Sequence, residues 1–268
     1  ELNVGYNNYN AGSATGTLQW DQPDPIYANH VYISRGPAAT GNVEVPVGGT
    51  LLLGTAADPV YSMVVAYGTG SAPTVGSLDF TVTDPTFEAY IDGGLGLGYR
   101  YGTGDATGTL VLGDHSKLHV GLPGDLANLT IGYSYANGSG TATGLLDATR
   151  GQADLHLDEL NVGYNNYNAG SATGTLTTGD GSTIQANTVY VSRGSSATGT
   201  VNLAGGLFSA NTVHMGAGGD FNFTGGRLSV NTFNTYGGVG TLLQEGGTLA
   251  PGRSPGISTI NGNYVMDA

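Results

Sequence analysis

The residues best suited to chemistry in this chain are few and stand apart. The only tryptophan, Trp20, lies beside two carboxylates, Asp21 and Asp24, in the stretch QWDQPDPIY. An aromatic face next to a pair of acids could grip a sugar or a calcium ion. Cleaving a glycosidic bond asks for more: two carboxyl groups held at a set separation across the bond. The remaining acids come as scattered pairs, Asp79 with Asp84, Asp147 with Asp154, and Asp158 with Glu159. His115 and His119 are four residues apart in DHSKLH. Along a strand that spacing is about 13 Å, too long for one ion without a bend. His156 stands two residues before Asp158, and the calcium-turn texture GAGGDF occurs once, at 216–221. No Ser-His-Asp order can be read from the spacing. These residues predict no catalytic centre, no metal centre and no cofactor, calcium at Asp21 and Asp24 being the one ion that the residue types would suit.

Composition narrows what elements could position such residues. Of 268 residues, 48 are glycine, 39% are hydrophobic, 10% are charged and 16 are tyrosine. Glycine interleaved with Val, Leu, Ile, Thr and Tyr predicts many short strands joined by tight turns, and no Gly-X-Y period points to collagen. Cysteine is absent, which excludes disulfides and thiolate chemistry and suits a bacterial exported protein. A net charge of −13 repels nucleic acid and anionic membranes, so neither is expected as a partner. No run approaches eighteen apolar residues, so no membrane-spanning helix and no membrane insertion are expected.

Internal repetition decides the fold class. ELNVGYNNYNAGSATGTL at 1–18 returns unchanged at 159–176, and between 1–45 and 159–203 thirty of forty-five positions are identical. Two shorter patterns recur more widely. Ala-Thr-Gly-x-Leu/Val, with one looser copy at 72–78, places glycines at 16, 41, 76, 108, 144, 174 and 199, in steps of 25 to 36 residues. An alternating apolar strand closing on a small residue appears at 2–5, 31–34, 95–98, 129–132, 160–163, 189–192 and 213–216. Apolar positions two apart are the strand period, and helical spacing is missing. Repeats that each hold two or three such strands cannot bury their inner faces alone. Stacked coils can.

The expectation is therefore an all-β, right-handed parallel β-helix, a β-solenoid forming a single domain over 1–268. About nine or ten coils at roughly 4.8 Å would give a rod on the order of 45 Å long. The stretch 46–90 obeys the pattern least and is read as degenerate coils with a larger lateral loop.

Polar and aromatic residues fall into columns of their own. Asn29, Asp158, Asn187, Asn211 and Asn231 each precede an apolar position by two, which predicts a corner ladder of side chains bonded coil to coil. Tyr6, Tyr99, Tyr133 and Tyr164 each follow a motif glycine, which predicts an aromatic ladder, or in a sharper reading a carbohydrate-binding strip. Arg35 and Arg193 occupy equivalent repeat positions, where they are expected to cap a turn or pair with a neighbouring Asp. Tyr9 and Tyr167 lie in the unchanged loop of the duplicate. Since loops ordinarily diverge faster than cores, either the duplication is recent or that loop makes the same contact twice, and a lateral contact is the expectation.

GGTLAPGRSPGISTINGNY at 246–264 closely resembles the passenger-associated transport repeat of bacterial autotransporters, and GG-LxxNT texture upstream supports the likeness. The resemblance implies a right-handed β-helix, export to the bacterial cell surface, and adhesive, structural or matrix roles more often than catalysis. The chain opens on a strand and closes on apolar residues without a capping helix. That arrangement is expected if copies dock head to tail as subunits of a surface filament or matrix fibre. A monomeric adhesin passenger with cell-surface or polysaccharide contacts is the alternative, and a polysaccharide-binding or polysaccharide-cleaving β-helix comes third.

Overall fold

Alternation of apolar and polar residues sends every second side chain of a strand to one face. In this chain those faces close on one another. The structure is a computed structural model that describes residues 1–8, 12–167, 169–235, 240–252 and 256–267. Among them the chain is all strand, turn and loop, arranged in one 13-stranded and one 10-stranded sheet, each running parallel from rung to rung. The chain passes repeatedly from the larger sheet to the smaller and back, so it winds as a right-handed parallel β-helix. The 10-stranded sheet runs from Ala14–Gln19 to Asn263–Met266 and contributes one strand to each of ten rungs.

The larger sheet turns a corner within its strands. Thr86–Arg100 pairs through its first half with Thr50–Leu53 and Ser116–Val120, and through its second half with Val60–Gly68 and Ala127–Ser134. Gln152–Asn165 does the same toward Ser116–Val120 and Ala127–Ser134. Each turn thus has three straight segments, two in the larger sheet and one in the smaller.

The stretch 46–90 is more regular than its sequence suggests. It supplies Thr50–Leu53, Val60–Gly68 and Thr74–Asp79, which join the same two sheets. Pro59, Pro73 and Pro85 each stand immediately before a strand, where a missing N–H costs no ladder bond.

Both short motifs are explained by one contact. The seven motif glycines lie in a single register column, Gly16, Gly41, Gly76, Gly108, Gly144, Gly174 and Gly199, which Gly219 continues. A Cβ added at Gly174 would sit 2.3 Å from the backbone nitrogen of Gly163. Gly163 has φ 72°, and its own Cβ would meet the Thr198 carbonyl oxygen at 2.0 Å. The two sheets touch backbone to backbone here, which leaves no room for a side chain.

Inside, Leu160, Val162, Leu176, Val191 and Val201 are among the fully buried residues of one continuous core. Toward the C-terminal half Phe221 packs edge-on against Phe208 and Phe233, with centroids 5.4 and 5.7 Å apart.

Candidate functional site: a tyrosine strip along the rod

After the last inward residue of the second segment comes a corner residue in left-handed conformation, then an outward one. The corner is Gly98, Gly132 or Gly163 in three rungs, and Ala66, Ser34 or Ser192 in others. Register makes the outward position a column: Tyr6, Arg35, Tyr67, Tyr99, Tyr133, Tyr164 and Arg193. Tyr99, Tyr133 and Tyr164 stand on successive rungs, as their spacing predicts, with ring centroids 5.0 and 5.1 Å apart. Tyr6 does not stack on a tyrosine, because Arg35 occupies the rung between it and Tyr67. It faces the Arg35 guanidinium 5.4 Å from its ring centre instead.

A second row lies beside the first. Tyr67, Tyr101, Tyr135 and Tyr167 follow one another with centroids 5.2, 5.2 and 5.1 Å apart. Tyr32 joins at 5.9 Å from Tyr67, so eight of the sixteen tyrosines form one connected surface. An arginine closes each end. Arg35 lies 4.3 Å over Tyr32, and Arg193 lies 4.5 Å over Tyr164 and 4.2 Å over Tyr190. Both arginines also pair with an acid, Arg35 with Glu1 at 3.2 Å and Arg193 with Glu159 at 2.9 Å. Tyr167 stands at the end of the second row, against Tyr135; Tyr9 lies outside the described residues.

Tyr99, Tyr101, Tyr133 and Tyr164 line an open groove of about 430 Å³ whose other wall is polar: Asn128, Thr130, Asp158, Glu159 and Asn161. Burial pushes the Tyr99 phenol up to about 12, with neighbouring phenols adding to it and a hydrogen bond to Thr130 opposing it. Burial and adjacent phenols also raise Tyr67, Tyr101 and Tyr133, so these rings are uncharged well above neutral pH.

The amide ladder stands at the neighbouring corner. Asn187 donates to Asp158 at 3.0 Å, Asn211 to Asn187 at 3.1 Å and Asn231 to Asn211 at 3.4 Å. Asn29 precedes a strand in the equivalent place, but its rung neighbour is the stretch containing Tyr61. Its carbonyl receives the Ser62 N–H at 3.0 Å. A second ladder, absent from the sequence reading, runs from Thr177 through Asn202 to Asn222 on the smaller sheet.

The structure separates the acids beside the tryptophan. Trp20 and Asp21 line a cavity of about 580 Å³ with Glu44 and Asp79, whereas Asp24 is exposed outside it. Asp21 accepts the Thr50 N–H at 3.3 Å, a contact that ties its loop to a strand.

The histidines meet acids across rungs. His115 pairs with Asp84 at 2.9 Å, and His119 stacks on Tyr90 at 4.4 Å between Glu88 and Asp154. Among the described residues no group of three or more His, Asp or Glu is arranged to hold a metal ion.

Sequence reasoning found the first tyrosine row and missed the second. The available signal was Tyr-x-Tyr in YRY at 99–101 and YSY at 133–135, since a spacing of two keeps both rings on one face. Comparison with family models, with curated proteins and with solved structures yields no match to this chain.

Proposed function

We propose that the chain is a non-catalytic structural rod of the bacterial cell exterior, extended by stacking rung upon rung. One observation carries this reading: eight glycines keep the same register across eight successive rungs, so every rung offers its neighbour the same backbone edge. A contact between such edges is heterologous and does not close, so copies joined head to tail continue both sheets as a filament. The autotransporter-like texture of 246–264 and the absence of cysteine support an exported, surface setting. Negative-stain microscopy across a concentration series tests it. Rods of uniform width that lengthen beyond the roughly 45 Å of ten rungs are expected. Dispersed rods of single-chain length at every concentration would overturn stacking.

A second reading, a surface adhesin, is favoured by the tyrosine strip. The strip lies on the flank of the rod, so it stays open whether or not the ends are stacked.

A further inference from the structure

We infer that the tyrosine strip binds a neutral polysaccharide of extended, β-linked hexoses, laid parallel to the rod axis. The inference rests on the adhesive reading of this face and adds the ligand class. The two rows run from Tyr32 to Tyr167 across five rungs, a length of roughly 20 Å. Their period is the rung spacing of roughly 4.8 Å. That is close to the length one hexose adds to an extended β-linked chain, so one sugar falls on each rung, with alternate rings turned over and each presenting an apolar face.

A peptide strand does not share this period. Its side chains return to one face every ~6.8 Å and would fall out of step within three rungs.

The chemistry of the two walls agrees. Sugars in ribbon-like chains have an apolar C–H face and a rim of hydroxyls. Tyr101 and Tyr135, 39% and 40% exposed, offer ring surface for the face. Asn128 and the carboxylates Asp158 and Glu159 offer donors and acceptors for the rim.

Charge excludes the competing ligands. Two carboxylates border the groove, the chain carries −13, and the arginine nearest the groove is already paired with Glu159 at 2.9 Å. A polyuronate or a nucleic acid would meet net repulsion. A second copy of the strip would set these same carboxylates against each other.

The test is binding of the full chain to cellohexaose by calorimetry and to insoluble cellulose by co-sedimentation, with polygalacturonate as the anionic counterpart. Binding to the neutral glycans is expected, with affinity at least tenfold weaker in the double variant Tyr101→Ala/Tyr135→Ala. Tyr27→Ala, which alters an exposed tyrosine off the strip, should bind as the wild type does. Circular dichroism establishes that each variant is folded, and Tyr101→Phe/Tyr135→Phe, which keeps the ring faces, should restore most of the affinity. Preference for polygalacturonate, or equal binding by the Ala variant and the wild type, would overturn the inference. If the chain binds no neutral glycan but adheres to cells through the same two tyrosines, the ligand class fails and the adhesive reading stands. If it does neither, both fail.

Discussion

The two copies of ELNVGYNNYNAGSATGTL place one sequence in two environments. Residues 159–176 lie within the rod, with strands paired on both sides; the strand Leu2–Tyr6 pairs, among the described residues, only with His30–Arg35. The backbone is the same in both: Gly5 and Gly163 have φ 71° and 72°, and Ser34 and Ser192 of the following rung have 71° and 64°. The side-chain bonds also repeat. Asn7 donates to Gly12 and Pro37 carbonyls at 3.2 and 2.7 Å, and Asn165 to Gly170 and Ser195 carbonyls at 3.2 and 2.7 Å. Burial differs. Asn161 is 3% exposed whereas Asn3 is only half-buried, and Tyr164 is half-buried where Tyr6 is 46% exposed. Local sequence therefore sets conformation, and the neighbouring rungs set how much each bond contributes. Asn7 and Asn165 fasten the start of the loop to the next rung, a structural reason for keeping that asparagine in both copies.

The largest test of this contrast is a methyl group at the inter-sheet contact. In Gly163→Ala the new Cβ would press on the Thr198 carbonyl at 2.0 Å in a left-handed backbone, so both sheets must shift. A loss of more than about 4 kcal/mol, or failure to fold, is expected. Gly5→Ala meets the same clash, 2.1 Å from the Thr40 carbonyl, but its rung can release one side alone. It should cost roughly half as much, with early hydrogen exchange confined to Leu2–Tyr6. Equal losses in urea melts would show that the first rung is held as firmly as the sixth.

The loop staple comes next. Asn165→Ala removes both donations to partly buried carbonyls and should cost about 2 kcal/mol, against about 1 kcal/mol for Asn7→Ala. Asn165→Asp separates shape from donation, because it sets a carboxylate against the same carbonyls. It should be worse than alanine. A melt in which aspartate is tolerated better would remove the donor bonds from this explanation.

How much of this could be read beforehand depends on where each determinant lies. The motif glycines and the apolar period are local, and both landed in their columns. The corner ladder was legible from Asp158 to Asn231 because one residue type recurs at one offset. Asn29 falls outside the ladder since the next rung has Tyr61 there. Tyr67 was overlooked because its corner residue is Ala66, which takes φ 65° without being glycine or serine. Arg100 was not legible at all. Alternation turns it inward between Tyr99 and Tyr101, and an inward arginine contradicts composition rules. The two terminal nitrogens of its guanidinium donate to Ser134 at 3.0 Å and to the carbonyls of Ala136 and Gly138, on the following rung, which no nearby residue announces, while its buried Nε has no hydrogen-bond partner among the described residues. Likewise the Trp20 loop holds its acids together in sequence, but the fold sends only Asp21 to the cavity.

The smallest effect is also the finest comparison, because the arginines of the two copies keep one contact almost unchanged. Arg193 lies 4.2 Å over Tyr190 and Arg35 lies 4.3 Å over Tyr32, while their acids differ. Glu159 is 2.9 Å from Arg193 and 35% exposed at its side chain; Glu1 is 3.2 Å from Arg35 and 50% exposed. Double-mutant cycles should therefore give one value, about 0.5–1 kcal/mol, for both Arg–Tyr pairs. The Arg–Glu couplings should separate, with Arg193–Glu159 the larger and Arg35–Glu1 falling toward zero in added salt. If the Arg–Tyr couplings differed as much as the Arg–Glu ones, contact geometry would not be what sets them. The rungs on either side would then govern even the outermost pairs, and the strip would have to be treated as one cooperative surface rather than a row of separate contacts.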